Sequence, residues 1–255
     1  MVRDLDVALE LVAIADSITM GRFRRPSLAM EFKADLSIVT EVDRAVETAI
    51  RRHVRYHRPS GSTIGEEYGG AGVGGRRWII DPIDGTANFA RGHPCWATFI
   101  TLEIDGELEI GVGSFPTAAK RIWAMRGRGA FDGAVPVHVS QTLRVEDARV
   151  LTCDTELAGR RDLAEGIRRL GDHSRRVQRY DGALATLDVA RGTAEALIDI
   201  GGVWDYAPLK LIVEEAGGYF TDLQGDPHAD CGSALASNGL LHPRILEALA
   251  AARGP

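Results

Sequence analysis

"WIIDPIDGTANFARG", residues 78 to 92, decides how this sequence is read. Three apolar residues run into Asp81, a second carboxylate follows at Asp84, and Gly85-Thr86 leads into "TANFA", a run able to start a helix. The first half predicts a strand, "RRWIID", which Pro82 stops directly after Asp81 because proline has no N–H for a sheet ladder. Asp81 then sits at the carboxyl end of a strand, where α/β folds place ligands. The turn through Ile83 frees its carbonyl, and N–H groups at the start of "TANFA" favour an anion, typically phosphate. Two carboxylates and a carbonyl suit magnesium, manganese or calcium better than zinc. A divalent cation between the acids and a phosphate removes their mutual repulsion. Read singly, Asp84 caps a helix and Asp81 ends a strand, but a cap does not require two acids around a proline.

Working outward, Leu5, Ala8, Leu9, Val12 and Ala15 predict one face of a first helix, and "LAMEFK" from Leu28 to Lys33 alternates as a strand. "ADLSIV" reads as a loop. Val42, Ala45, Val46, Ala49 and Ile50 give a second helical stripe. "IGEEYGGAGVGG" reads as a loop into the strand at Trp78. Downstream, "WATFITLEI" and "ELEIGVGSF" flank Asp105-Gly106, a hairpin signal because both residues tolerate positive φ. "RIWAM" and "VPVHVS" extend what reads as an antiparallel sheet.

From about Arg149 strands and helices alternate, which predicts an α/β half. The strands are "RVLTCD", "RRVQRY", "AEALIDI", "YFTDL" and "ALASN". Helices are expected near Leu157 to Leu170, Ala183 to Ala190 and Tyr206 to Ala216, and from Pro243 onward. Neither an internal repeat nor a linker composition separates the halves, so they are expected as subdomains, residues 1–140 (α+β) and 141–255 (α/β).

Over 255 residues the net charge is −6, which opposes a wholesale nucleic-acid binder. No apolar run approaches the roughly 20 residues that span a bilayer, and the acids in "MVRDLDVALELVAIADS" mark an amphipathic helix rather than a secretory signal. Cys95, Cys153 and Cys231 are odd in number and far apart, so a reducing cytoplasm is the expected home.

Other chemistry-bearing residues have plain explanations when taken alone. Asp43 lies three residues after Thr40 at a helix start, a capping box. Glu66 and Glu67 fit a polar turn, and Asp205 fits a helix N-terminus. "GAGVGG" matches G-x-G-x-x-G but precedes a strand instead of following one, so a mobile loop over the site is expected rather than a dinucleotide fingerprint. His53 and His57 lack an H-E-x-x-H and read as surface polarity. "RFRR", with its single Phe23, and "RRVQR", with none, fall short of the repeated aromatics of single-strand binders.

Together these residues resemble the inositol monophosphatase-like family of metal-dependent phosphomonoesterases over nearly the whole chain. The motifs that carry the resemblance are "KADLSIVTEVD" (Lys33 to Asp43), "IGEE" (Ile64 to Glu67), "DPIDGTANF" (Asp81 to Phe89) and "WD" (Trp204-Asp205) with "EEAGGYFTD". The resemblance implies an αβαβα layered fold, a homodimer, lithium inhibition and hydrolysis of a small phosphate monoester by a metal-activated water. It also implies two magnesium ions, replaceable by manganese, with room for a third, weaker ion at Glu66. Glu66, Asp81 and the Ile83 carbonyl would hold the first ion, and Asp81, Asp84 and Asp205 the second. Gly85 and Thr86 would face the phosphate, Asp43 and Thr86 would orient the water, and Glu67 would sit behind Glu66. The N-terminal subdomain would then carry most of the ligands, and the C-terminal one would add Asp205 and the substrate side.

"NFARGHPCWATFITLEIDGE" and "RIWAMRGRGAF" are most similar to histidinol-phosphate phosphatases of this family. "YDGAL" departs from their Tyr-Gly-Asp, which displaces an acid expected near the substrate amine. Asp181, Asp199 and Asp205 are the candidate substrate contacts. Inositol 1-phosphate or another sugar phosphate stays open as substrate, and a non-catalytic phosphate-sensing regulator is the alternative of another class.

Overall fold

Strand β4 (Arg76–Asp84), buried over most of its length, carries the acidic stretch and lies second from one edge of its sheet. The protein is described here by a computed structural model covering residues 2–34, 36–58, 60–70, 75–153, 161–180 and 184–250. β4 belongs to a seven-stranded sheet, in which neighbours follow chain order. Its other members are β3 (Ser62–Gly65), β5 (Ala97–Ile104), β6 (Glu107–Phe115), β7 (Lys120–Met125), β8 (Gly129–Asp132) and β9 (Val135–Val137). All pairs are antiparallel except β3 with β4, which is parallel. Asp105 and Gly106, at φ 52° and 87°, make the expected β5–β6 hairpin.

Five layers result. Helices α1 (Val2–Arg22) and α2 (Glu41–His57) cover one face of the large sheet, packing Leu11, Val12, Val46 and Ile50 on Trp78, Ile80 and Ile100. Helices α5 (Leu184–Ala190) and α6 (Val203–Glu215) fill the space between this sheet and a five-stranded one. The second sheet contains β10 (Arg149–Thr152), β11 (Arg176–Arg179), β12 (Ala196–Asp199), β13 (Tyr219–Thr221) and β14 (Ala234–Ser237), in the order β11-β10-β12-β14-β13. Helices α4 (Arg161–His173) and α7 (His242–Ala250) close its outer face. The layered αβαβα expectation is met, with α3 (Thr86–Ala90) lying beyond the end of β4.

Several local expectations are corrected. The first strand is only β1 (Met30–Phe32), and Ile38 and Val39 of the expected loop, with Thr40, form its hairpin partner β2 (Ile38–Thr40). "STIG", whose Ile64-Gly65 are expected to open a loop, is β3, because pairing beside β4 supplies a ladder that the sequence does not advertise. "GAFD" is β8; its turn from β7 is pinned by Glu215, whose carboxylate accepts the N–H groups of Gly127 at 2.7 Å and Gly129 at 2.8 Å. On α2 the buried face is rotated. Ala45 is exposed, while Asp43 and Glu47 are fully buried beside Val42, Val46, Ile50 and Val54.

The largest correction concerns Pro82. It does not end the strand, and β4 continues to Asp84 through a bulge. Asp81 faces Phe99 and Asp84 faces Ala97, so three steps along β4 match two along β5. Side chains alternate across a strand, so residues three apart ordinarily point to opposite faces, and one extra residue restores the parity. Trp78, Ile80 and Ile83 face α1 and α2. Ile79 faces α6, and Asp81 and Asp84 converge on that same side.

Candidate metal centre

α6 brings the third acid. Asp205 lies in its first turn, where one carboxylate oxygen accepts the Gly202 N–H at 2.6 Å. One oxygen each from Asp81, Asp84 and Asp205 lie within 4.8 Å of one another. Both oxygens of Asp81 are buried and accept no hydrogen bond from any described residue. Burial, then the charges of Glu66, Asp205 and Asp84, push the Asp81 carboxyl well above the usual range. Burial also raises Asp205. Such a carboxylate is stabilised either by sharing a proton with its neighbour or by a cation.

Glu66 reaches this group through the sheet. β3 and β4 are parallel with Gly65 opposite Ile80, so the next residue on each strand is Glu66 and Asp81. The Glu66 N–H donates to the Ile80 carbonyl at 3.2 Å, the bond that closes the Gly65–Ile80 pair. Its carboxylate is pushed up to about 7, by burial first and then by Asp205 and Glu67, against the opposing pull of Lys33. Lys33 donates to Glu66 and to Glu67, both at 2.8 Å. Burial alone would lower the ammonium pKa, but these two carboxylates hold it above its usual value.

Asp43 and Thr86 meet behind the strand end. The Thr86 hydroxyl lies 3.0 Å from Asp43 Oδ1 and 2.9 Å from the Ile83 carbonyl, so its single proton serves one acceptor at a time. The capping box expected of Asp43 is present. Its Oδ2 accepts the Thr40 N–H at 2.8 Å, and Thr40 Oγ1 accepts the Asp43 N–H at 3.4 Å. Asp43 is fully buried, and burial raises its carboxyl despite these bonds. Gly85, at φ 83°, is the residue before α3, so Asp84 is not that helix's cap. A Cβ on Gly85 would press on the Cys95 carbonyl at 3.0 Å, and the positive φ disfavours any side chain there.

Asp199 ends β12 and accepts the neighbouring Ile200 N–H at 2.8 Å. It borders Cys153, whose thiol is pushed up by burial and then by Asp199. Asp181 lies outside the described residues, as do 71–74 of the glycine-rich loop. His53 and His57 stack on α2 with ring centres 4.3 Å apart, and His53 Nε2 is 3.2 Å from Glu10. Sequence reasoning assigned no role to Glu47 or Arg51. Their signal was the four-residue spacing from Asp43, which a search for apolar stripes passes over.

The model of the inositol monophosphatase family matches residues 2–253. The chain belongs to that family. A histidinol-phosphatase of Mycobacterium tuberculosis is 42% identical over 96% of this chain and 97% of its own length. One from Streptomyces coelicolor is 39% identical over 95% of each. Among solved structures, the Thermotoga maritima IMPase superposes with a TM-score of 0.89 at 30% identity, covering 99% of this chain and 98% of that one. The protein is accordingly a metal-dependent phosphomonoesterase. The residues present fit a hard divalent cation: the donors are all oxygen, and the orphaned oxygens of Asp81 are aimed at no other partner. No described helix is long and apolar enough to cross a membrane.

Proposed function

We propose that this protein hydrolyses histidinol phosphate to histidinol and phosphate, with magnesium held between β3, β4 and α6. The convergence of Asp81, Asp84 and Asp205 within 4.8 Å carries the metal assignment. The choice of substrate rests on the 42% identity with the mycobacterial histidinol-phosphatase along nearly the full length of both chains.

Two ions are the proposed complement. Glu66, Asp81 and the Ile83 carbonyl form one set, and the carbonyl keeps a lone pair beyond the Thr86 contact. Asp81, Asp84 and Asp205 form the other, and a third, weaker ion belongs at Glu66. Bound there, magnesium lowers the pKa of coordinated water and neutralises the phosphoryl oxygens. Asp43 and Thr86 orient the attacking water: the carboxylate fixes the hydroxyl, and the hydroxyl fixes the angle of approach. Gly85 lets the backbone come close to the phosphate, and Thr86 and Asp205 flank the ester. Asp199, beside Cys153, faces the substrate's cationic end, a role shared with Asp181. Residues 1–140 and 141–255 are the proposed subdomains, and a cytoplasmic homodimer completes the reading.

A panel of histidinol phosphate, inositol 1-phosphate and fructose 1,6-bisphosphate, assayed with magnesium and with EDTA, tests this reading. The expected result is phosphate release that depends on magnesium, with the highest kcat/KM for histidinol phosphate. A higher value for inositol 1-phosphate would transfer the assignment to that ester. Absence of hydrolysis on every ester would leave a phosphate-binding regulator as the better description.

A further inference from the structure

Helix α2 carries two stripes. Val42, Val46, Ile50 and Val54 recur every four residues and enter the apolar core. One residue further on, Asp43, Glu47 and Arg51 recur with the same spacing, which stacks them along one face at steps of about 6 Å. Asp43 grips Thr86 beyond the end of β4. The next two residues grip the other acidic segment. Glu47, fully buried, accepts the Glu67 N–H at 2.8 Å and Arg51 Nε at 2.7 Å. Arg51 donates to Thr63 Oγ1 at 2.8 Å and to the Gly69 carbonyl, and its guanidinium lies 5.9 Å from the Tyr68 ring centre. One ion pair therefore holds the chain before, within and after the turn that presents Glu66.

The sheet does not do this by itself. The β3–β4 ladder ends at Gly65 and Ile80, and the bond that Glu66 donates to Ile80 is the one that closes this last pair. Lys33 also touches Glu66, but it follows a hairpin strand whose Met30 and Phe32 are 56% and 75% exposed. The helix is the rigid partner. The contact is close: a Cβ at Gly65 would lie 2.2 Å from the Glu47 carboxylate and would displace it from the Glu67 N–H and Arg51. A buried ion pair is weakly stabilising at best, because desolvation offsets its attraction. Orientation is what it supplies.

We propose that Glu47 and Arg51 are positioning residues for metal binding. They lock the Glu66–Glu67 turn against α2 so that Glu66 meets Asp81 in the register the ion requires. The proposal rests on the reading of Glu66 and Asp81 as ligands. Support around a ligand typically changes metal affinity by about 10- to 100-fold.

The experiment is calorimetric titration of Mn2+ into the wild-type protein and the variants Glu47→Gln, Arg51→Lys and Asp81→Asn, with hydrogen exchange followed at the Glu67 amide. Glu47→Gln and Arg51→Lys are each expected to bind Mn2+ about 10-fold more weakly and to lose protection at Glu67. Their magnesium requirement rises in parallel, while kcat at saturating magnesium stays within about 3-fold of wild type. Wild-type Mn2+ affinity in either folded variant overturns the proposal, whatever its melting temperature. Arg51→Lys keeps the charge opposite Glu47 and decides alone if Glu47→Gln does not fold. Asp81→Asn, at the one acid common to both ligand sets, separates the two claims. Retained Mn2+ affinity there means that the metal-centre reading has failed; lost affinity there beside full affinity in Glu47→Gln means that only the positioning claim has.

Discussion

Asp43 and Glu47 on α2 are as deeply buried as Asp81 on β4, yet their surroundings are opposite. Both oxygens of each helix carboxylate have donors beside them: Asp43 has Thr40 and Thr86, and Glu47 accepts from Glu67 and Arg51. Asp81 accepts nothing from the described residues, and its neighbours are carboxylates. Burial alone therefore does not mark a ligand. A buried carboxylate with both oxygens hydrogen-bonded is held in place by its neighbours, and one with neither engaged requires a proton or a cation.

The most damaging way to test that contrast is Asp84→Asn. It keeps shape and removes charge, and kcat is expected to fall by roughly 1,000-fold with weakened Mn2+ binding, since metal-borne charge stabilisation is worth several kcal/mol. Steady-state kinetics at saturating magnesium check it, and wild-type turnover would remove Asp84 from the site.

A remote group calibrates how much burial contributes without crowding. His242 is buried, with Nε2 2.9 Å from Thr221 Oγ1 and Nδ1 2.8 Å from Ser237 Oγ. Burial lowers its pKa from 6.5 to about 4. A folded-state value below the unfolded one means that the unfolded chain takes up the proton first. The contribution is complete above pH 6.5 and is lost as pH falls toward 4, by roughly 3 kcal/mol at most. Urea unfolding at several pH values should show this slope in wild type and a shallower one in His242→Gln; equal slopes would place the acid sensitivity elsewhere.

Thr86→Ala is expected to lower kcat by about 10- to 100-fold while leaving Mn2+ affinity within about 3-fold, because it disturbs the water more than the ions. A loss of affinity as large as the loss of turnover would instead make the hydroxyl part of the ligand set.

The smallest effect is the most direct comparison of the two regions. In EDTA, Asp81→Asn removes an unsatisfied charge and should raise stability by about 1 kcal/mol. Asp43→Asn discards satisfied hydrogen bonds and should lower it by about 1 kcal/mol. Thermal melts of the metal-free variants shifting in the same direction would erase the distinction.

Local patterns carried much of this. The Asp-Gly hairpin, the apolar stripe of α1 and the Thr40–Asp43 capping box each depend on neighbours in the chain, so each was legible there. The failures share a cause. Pro82 was read as a stop because its own ladder bond is missing, whereas pairing with β5 carries the strand past it through a bulge. "STIG" has little strand character alone and is made a strand by lying beside β4. Ala45 was preferred to Asp43 and Glu47 as a buried position because hydropathy ranks a carboxylate as exposed, and only Thr86, Glu67 and Arg51 reverse that ranking.

Residue order by itself determined which acids exist, the strand and helix tendencies around them and the family they resemble, because propensity, capping and turn chemistry act over a few residues. The tertiary structure decided which acids meet. Parity across the β4 bulge turns Asp84 to the side of Asp81, the parallel β3 edge brings Glu66, and α6 between the sheets delivers Asp205. Contacts between residues more than a hundred positions apart arise from how faces pack, and no local pattern encodes that.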